Sequence, residues 1–390
     1  MLHRIIASLS YRWNRLVKRI RPDISASLNP RHDLRGRFCP NPFKQLDVYE
    51  DGKAYLCCSN WLPTSIGNLN ESDIDAVWNS AEAQRIRASI LDGSFRYCDH
   101  KVCPYIQNDS LPTLRQAAAD DPFGPVIAAG QTRLEQLPTF INLCNDASCN
   151  LWCPSCRTQR INYTDGPELD QRRHLQDRVV QALFAEPTDR HFRVNVTGSG
   201  DPFASTVFRE FLYGLEGDDF PNLKISLQTN GVLLTPRTWQ RLAGIRGNIS
   251  DILVSFDAAT PETYAITRRG GHWPTLLANV RRLGALRASG ELRFLRLDFV
   301  VQQANYREMP EFADLARELG ADQAGFSMLL NWGTWTPAEF RVRCIWRPDH
   351  PEFSQFMHVL SDPRLGQPHV DLGNLTEYRA RALRQASEAA

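Results

Sequence analysis

The chain has 390 residues, 42% of them hydrophobic and 23% charged, a globular composition with room for a full catalytic domain and a smaller one. Forty-five basic against 44 acidic side chains leave a formal charge of +1, which argues against a surface built to coat nucleic acid or to seek acidic partners. No apolar run reaches the roughly 20 residues that span a bilayer, and the N-terminus lacks an apolar core followed by a small-residue cleavage site, so a cytoplasmic location is expected.

Residues 2–20 place Leu2, Ile5, Ile6, Leu9, Trp13, Leu16, Val17 and Ile20 at helical spacing, with Arg4, Arg12, Arg15, Lys18 and Arg19 between them. This predicts a basic amphipathic helix within a segment 1–30, whose apolar stripe is expected to pack on its own domain rather than on a membrane surface. Asn29-Pro30 and Gly36 then open an irregular entry to a first cysteine-bearing region, 31–110. Residues 111–137, with Pro112, Pro122 and Pro125, read as a linker.

From about residue 138 short apolar runs alternate with helical stretches, the pattern of βα units on a parallel sheet. The runs are Phe140–Leu143, Phe192–Val196, Leu223–Leu227, Ile252–Phe256, Leu295–Val301 and Ala324–Leu329. Six such units predict an incomplete barrel or a doubly wound sheet, and in either case ligand sites gather beyond the carboxyl ends of the strands. Residues 331–390 are expected to form a C-terminal cap.

Ten cysteines would suit a disulfide scaffold in a short secreted chain, but this chain is long and its thiols are bunched, which favours metal. One group is spread: Cys39, Cys57, Cys58, Cys98 and Cys103. The other is tight: Cys144, Cys149, Cys153 and Cys156, with Cys344 alone. The first run of the βα region ends in Cys149-x3-Cys153-x2-Cys156. Three thiolates on one short loop can wrap one face of an iron–sulfur cubane and leave its fourth iron open for a cofactor or substrate. A zinc site lacks a fourth ligand at the usual spacing, although Cys144 stands nearby.

A C-x3-C-x2-C loop after the first strand of a six-unit βα domain resembles the radical S-adenosylmethionine (SAM) superfamily over residues 138–330. The resemblance implies a partial (β/α)6 TIM-type barrel in which Cys149, Cys153 and Cys156 hold a [4Fe-4S] cluster. Its open iron would bind SAM, and one electron would split the sulfonium to a 5′-deoxyadenosyl radical that abstracts hydrogen. Thr197-Gly198-Ser199-Gly200-Asp201, after the second run, is similar to the family's glycine-rich motif, which implies that Gly198, Ser199, Gly200 and Asp201 receive the SAM amino group. The resemblance places Thr229, Asn230, Ser255 and Asp257, after the third and fourth runs, along the same cofactor, although Asn230-Gly231 is also a good turn and Asp257 a candidate helix cap. Ser155 stands where many members carry an aromatic residue, and Trp152 is expected to pack on the barrel. Gln302 and Asn305 end the fifth run, where Asn305 also reads as a cap. Arg268-Arg269-Gly270-Gly271 reads as a basic, flexible turn able to meet an anionic group, although most such turns are solvated surface.

In the first cysteine region, Asp51-Gly52 between apolar flanks predicts a hairpin presenting Cys39 and Cys57 on neighbouring strands. With Trp78, Cys98 and Cys103-Pro104, the order resembles a shortened SPASM domain placed ahead of the core, a small α+β module. This implies a second, auxiliary [4Fe-4S] cluster on Cys39, Cys57, Cys98 and Cys103. Cys58 competes with Cys57, and a zinc module is the alternative. The segment with Asn331 to Trp335, Cys344, Trp346, His350 and Asp371 could close the barrel mouth, since radical chemistry needs a lid, although cap packing is the expectation for the tryptophans and a structural role for Cys344. The implied function is oxidation, cross-linking or epimerisation of a peptide or protein side chain, with a flavodoxin- or ferredoxin-type electron donor. The alternatives are a dehydrogenase or epimerase of a sugar, cyclitol or other small metabolite, and a non-catalytic iron–sulfur carrier or redox sensor.

Overall fold

The computed structural model describes residues 33–119 and 123–389, so the helix expected over 2–20 lies outside the described residues. Each of the six runs is a strand. They are β4 (Phe140–Cys144), β5 (Phe192–Val196), β6 (Leu223–Thr229), β7 (Ile249–Ser255), β8 (Leu295–Val301) and β9 (Gln323–Met328), all paired in parallel and in chain order. The fold is a partial barrel of the α/β class. Period-2 alternation gives each strand two faces. Ile141, Leu143, Val194, Val196, Ile225, Leu227, Ile252, Val254, Leu295 and Leu297 are fully buried beneath the helices. Those helices include α7 (Gly166–Leu183), α8 (Thr206–Gly214), α11 (Trp273–Ala288) and α12 (Met309–Glu318). The alternate positions are polar: Asp47, Asn142, Asn195, Ser226 and Asp251 are direct neighbours across five strands.

The sheet continues at both edges. The hairpin predicted at Asp51-Gly52 forms between β1 (Gln45–Tyr49) and β2 (Lys53–Tyr55), with Gly52 at φ +78, a backbone conformation that glycine adopts without strain. Strand β1 pairs in parallel with β4 over its whole length, and β3 (Gly67–Asn68) completes the edge. The cysteine-rich region is therefore built onto the first strand of the barrel. At the other edge β10 (Val370–Asp371) pairs with β9, so part of the expected cap belongs to the sheet instead. Among the described residues β3 and β10 are the two free edges, and the barrel stays open.

The linker is not featureless. It folds into α5 (Leu114–Ala119) and α6 (Phe123–Ala128), and Leu134 is buried. The hairpin does not present thiols from its strands as expected: Cys57 lies beyond the end of β2, and Cys39 precedes the short helix α1 (Asn41–Lys44). Tight pairing of β1 with β4 leaves the cysteines to the loops, where backbone can turn around a bulky group.

Candidate active site

The loop after β4 carries the tight thiols. Cys149 and Cys153 are buried and Cys156 is exposed. The loop turns back through the Cys156 and Arg157 amides, which both donate to the Cys153 carbonyl. Trp152 donates its amide to the Arg269 carbonyl, and a Cβ added to Gly270 would lie 2.5 Å from its ring. The tryptophan thus packs on the loop after β7, as expected.

Each of the three sulfurs meets a side-chain N–H. Asn230 Nδ2 lies 3.7 Å from Cys149 Sγ, Arg268 Nη1 lies 3.8 Å from Cys153 Sγ, and Arg157 Nη2 lies 3.3 Å from Cys156 Sγ. Burial pushes the Cys149 thiol up to about 12, Asp201 adding to the rise. It also raises Cys153, against the opposing charge of Arg268. Iron must therefore displace protons as it binds. Cys144 is not part of this group. Its sulfur is buried near Asp47 and Cys58, as a core thiol would be.

The loop after β5 serves the cysteine loop directly. A Cβ on Gly198 would sit 2.1 Å from Cys144 Sγ, and one on Gly200 would sit 2.5 Å from the Ser148 carbonyl. Ser199 Oγ donates to the Cys144 and Asp146 carbonyls. The glycines are needed first for this close backbone approach. Asp201 is fully buried and its oxygens are engaged: Oδ2 accepts from Thr229 Oγ1 at 2.7 Å and Asn230 N at 2.8 Å, and Oδ1 from Phe203 N. Thr229 and Asp201 therefore tie the second and third loops together. Asn230 also donates to Asn150 Oδ1 at 2.9 Å, so it fastens the third loop to the cysteine loop.

Asp257, at φ +60, is not the cap of the following helix. Thr260 caps α10 (Pro261–Thr267) by accepting from Thr263 N. Asp257 Oδ1 instead accepts from Val300 N at 2.7 Å, and Oδ2 pairs with Arg268 Nη2 at 2.9 Å. Asn305 is likewise no side-chain cap; its Nδ2 reaches back to the Asp257 carbonyl. Ser255 ends β7 beside Asp298 of β8.

Arg268 overturns the expectation of a solvated turn: its side chain is 13% exposed, while Arg269 beside it stays exposed. The Asp257 carboxylate compensates the buried guanidinium. Nearby, Arg268 Nε and the Tyr264 hydroxyl are buried without a partner, so donors remain for a group not supplied by the protein. Sequence reasoning also passed over Arg157, whose one signal was its place next to Cys156.

In the N-terminal region Cys39 lies within electrostatic reach of Cys57, Cys98 and Cys103, and Cys39, Cys57 and Cys103 also reach the Tyr105 hydroxyl. Burial drives the thiols of Cys57 and Cys98 well up and takes Cys39 to about 12. Cys58 lies within electrostatic reach of Cys57 and Cys103 as well as of Tyr49 and Cys144. Among the described residues no three His, Cys, Asp or Glu side chains converge tightly enough for a single ion. A cubane, with iron at several corners, draws its thiolates from farther apart. Beyond β9, Cys344 is buried, Trp335 stacks on Phe340 with their centroids 6.3 Å apart, and Trp332 is 47% exposed.

Comparison with known proteins agrees with this geometry. Residues 147–316 match the radical SAM superfamily, and residues 39–104 match SPASM, an iron–sulfur cluster-binding domain. Residues 147–316 thus form a radical SAM domain, preceded in this chain by a SPASM domain. The first implies a [4Fe-4S] cluster and SAM at the barrel and the second iron–sulfur ligation in the N-terminal region. The thiol sets, their N–H donors and the unpartnered buried donors fit those groups. No curated protein matches the chain. Similar solved structures include Streptococcus suis SuiB bound to the precursor peptide SuiA, at 14% identity and TM-score 0.37, covering 50% of this chain and 40% of that one. Another is anSMEcpe with bound AdoMet, at 21% identity and TM-score 0.34, covering 48% and 50%. A third is TYW1 with a lysine–pyruvate adduct, at 15% identity and TM-score 0.31, covering 48% and 64%. The match thus spans less than two-thirds of each of those chains. No helix among the described residues is long and apolar enough to cross a membrane.

Proposed function

We propose that Cys149, Cys153 and Cys156 hold the cluster at which SAM is reductively cleaved, and that the chain abstracts hydrogen from a peptide or protein side chain. The observation that carries this is the convergence of three loops on one set of sulfurs, each provided with an N–H donor. Bound there, cluster and SAM supply a 5′-deoxyadenosyl radical that takes a hydrogen atom from the substrate.

The chain's own residues do the rest. Gly198 and Gly200 let the second loop lie flush on the cysteine loop. Asp201 locks the second loop to the third through Thr229 and Asn230. Arg268 and the Tyr264 hydroxyl offer buried donors on the same side as Cys153. Cys39, Cys57, Cys98 and Cys103 form the set for an auxiliary cluster, on loops of a region whose strand β1 pairs directly with the barrel. That placement suits an electron relay and supports a net oxidation.

A second reading has its own support. The alternate face of the sheet carries Asp47, Asn142, Asn195, Ser226 and Asp251, a polar wall that suits a sugar or cyclitol better than an apolar side chain. The test is anaerobic reconstitution, reduction with dithionite and measurement of 5′-deoxyadenosine. Release that disappears in Cys153→Ala supports the reading, and a carrier protein would release none. Release that rises with a candidate peptide favours the first substrate class, and release that rises with polyols favours the second.

A further inference from the structure

Cysteine sulfurs that bind a cluster carry charge, and how the protein answers that charge sets how readily the cluster accepts an electron. Reduction adds a negative charge to a group already bounded by thiolates. Hydrogen bonds to the sulfurs and cationic neighbours favour the reduced form and raise the potential. The three sulfurs of the barrel loop are each provided for, and by residues from three different segments.

Arg157 follows Cys156 and bends back on it, its Nη2 at 3.3 Å from the sulfur while Nη1 holds the Ala147 carbonyl of the same loop. Arg268 comes from the loop after β7, with Nη1 at 3.8 Å from Cys153 Sγ and Nη2 on Asp257. Asn230 comes from the loop after β6, with Nδ2 at 3.7 Å from Cys149 Sγ. Two of the three donors are guanidiniums, which stay protonated under all working conditions. Asp257 offsets part of the Arg268 charge, but it binds a different nitrogen and leaves Nη1 to the sulfur. Among the described residues Arg157 pairs with no carboxylate, and its guanidinium meets the Cys156 sulfur and the Ala147 carbonyl.

We propose that Arg157, Arg268 and Asn230 form a donor shell that sets the reduction potential of the cluster on Cys149, Cys153 and Cys156, with Arg157 the strongest single contributor. The proposal rests on reading that loop as the cluster loop. The step concerned is a one-electron reduction: a flavodoxin- or ferredoxin-type donor gives up one electron and the cluster gains it, with no bond made or broken. The three are positioning residues, acting on the thiolates and not on substrate.

The test is a potentiometric titration of anaerobically reconstituted full-length protein, followed by electron paramagnetic resonance without SAM, so that turnover plays no part. The variants are Arg157→Met, Arg157→Lys and Asn230→Leu, with Asp257→Asn combined with Arg268→Met so that no carboxylate is left buried alone. Arg173→Met, which loses only a pair with Glu210 on the outer surface, is the control. Arg157→Met is expected to make the reduced form about tenfold less favoured at a fixed potential, a fall of about 59 mV for a one-electron couple. Arg157→Lys should recover part of that fall, Asn230→Leu should give a smaller one, and the control should not move. If wild-type protein holds no cubane, the reading of the loop fails. If it does, and all variants keep their iron and the wild-type midpoint, the donor shell is refuted while the loop assignment stands. A variant that loses its cluster is replaced by its conservative partner, Arg157→Lys or Asn230→Gln, and an unmoved midpoint there counts against the proposal equally.

Discussion

The two cysteine sites answer the same problem in different ways. The barrel site draws three thiols from one loop of eight residues, leaves Cys156 exposed and surrounds the sulfurs with Asn230, Arg157 and Arg268. The N-terminal site gathers thiols from Cys39 to Cys103 and buries most of them. Among the described residues it provides one side-chain donor, Asn41 Nδ2 at 3.7 Å from Cys57 Sγ, and no arginine donor. A site that must admit a cofactor and accept an electron keeps an open face and balances its charge. A site that only needs to hold a cluster can seal it. The comparison teaches that burial and charge compensation, and not cysteine number, separate the two sites.

Substitutions at six positions sharpen or break that contrast. The largest effect is expected from replacing Cys39 and Cys98 together with Ala. Iron should fall by about four atoms per chain while SAM cleavage at the barrel continues. Loss of zinc instead, measured by elemental analysis, would put a zinc module at the N-terminal site. Cys153→Ala should remove a similar amount of iron from the barrel and leave the N-terminal site loaded, so the two losses should add in the triple variant.

Next is Gly198→Ala, whose new methyl would meet Cys144 Sγ at 2.1 Å. Overpacking of this kind costs about 1–3 kcal/mol. Combining it with Cys144→Ala should recover a substantial part of that cost, read as a positive coupling in a double-mutant cycle on the metal-free protein. Additive losses would mean that the glycine is needed for something other than this contact.

An effect confined to a pH window concerns Asp47, which burial pushes up to about 6 against hydrogen bonds from Gln45 and Asn142. Because the folded-state pKa is raised, the folded protein holds this proton more tightly than the unfolded chain. Stability from this group is thus complete below the unfolded value near 4 and is lost as pH rises through about 6. Asp47→Asn should flatten the pH dependence of the urea midpoint of the metal-free protein between those values and raise the unfolding free energy at pH 7 by up to about 3 kcal/mol. An unchanged pH profile would show that Asp47 is ionised without penalty.

How much of this was legible in the sequence follows from which interactions are local. The six barrel strands were readable because apolar alternation and turn residues act over a few positions, and the boundaries moved by at most three residues, as at Ile249. The cysteine loop was readable because its ligands are contiguous. The pairing of β1 with β4 joins residues nearly a hundred positions apart, and no local pattern encodes it. Arg268 was misread for the same reason: a charged residue beside two glycines looks solvated until a distant carboxylate, Asp257, is known to meet it. Asp201 stood out in the sequence as a candidate, but its hydrogen bonds to Thr229 and Asn230 join it to a segment nearly thirty residues away, which no local pattern encodes.

The central claim is that three sulfurs leave one iron free for SAM. It is tested most directly by the electron paramagnetic resonance spectrum of the reduced Cys39→Ala, Cys98→Ala variant, recorded with and without SAM. A reduced cubane signal that changes shape when SAM is added is the expected result. A cubane signal indifferent to SAM, or no cubane at all in anaerobically reconstituted protein, would contradict it.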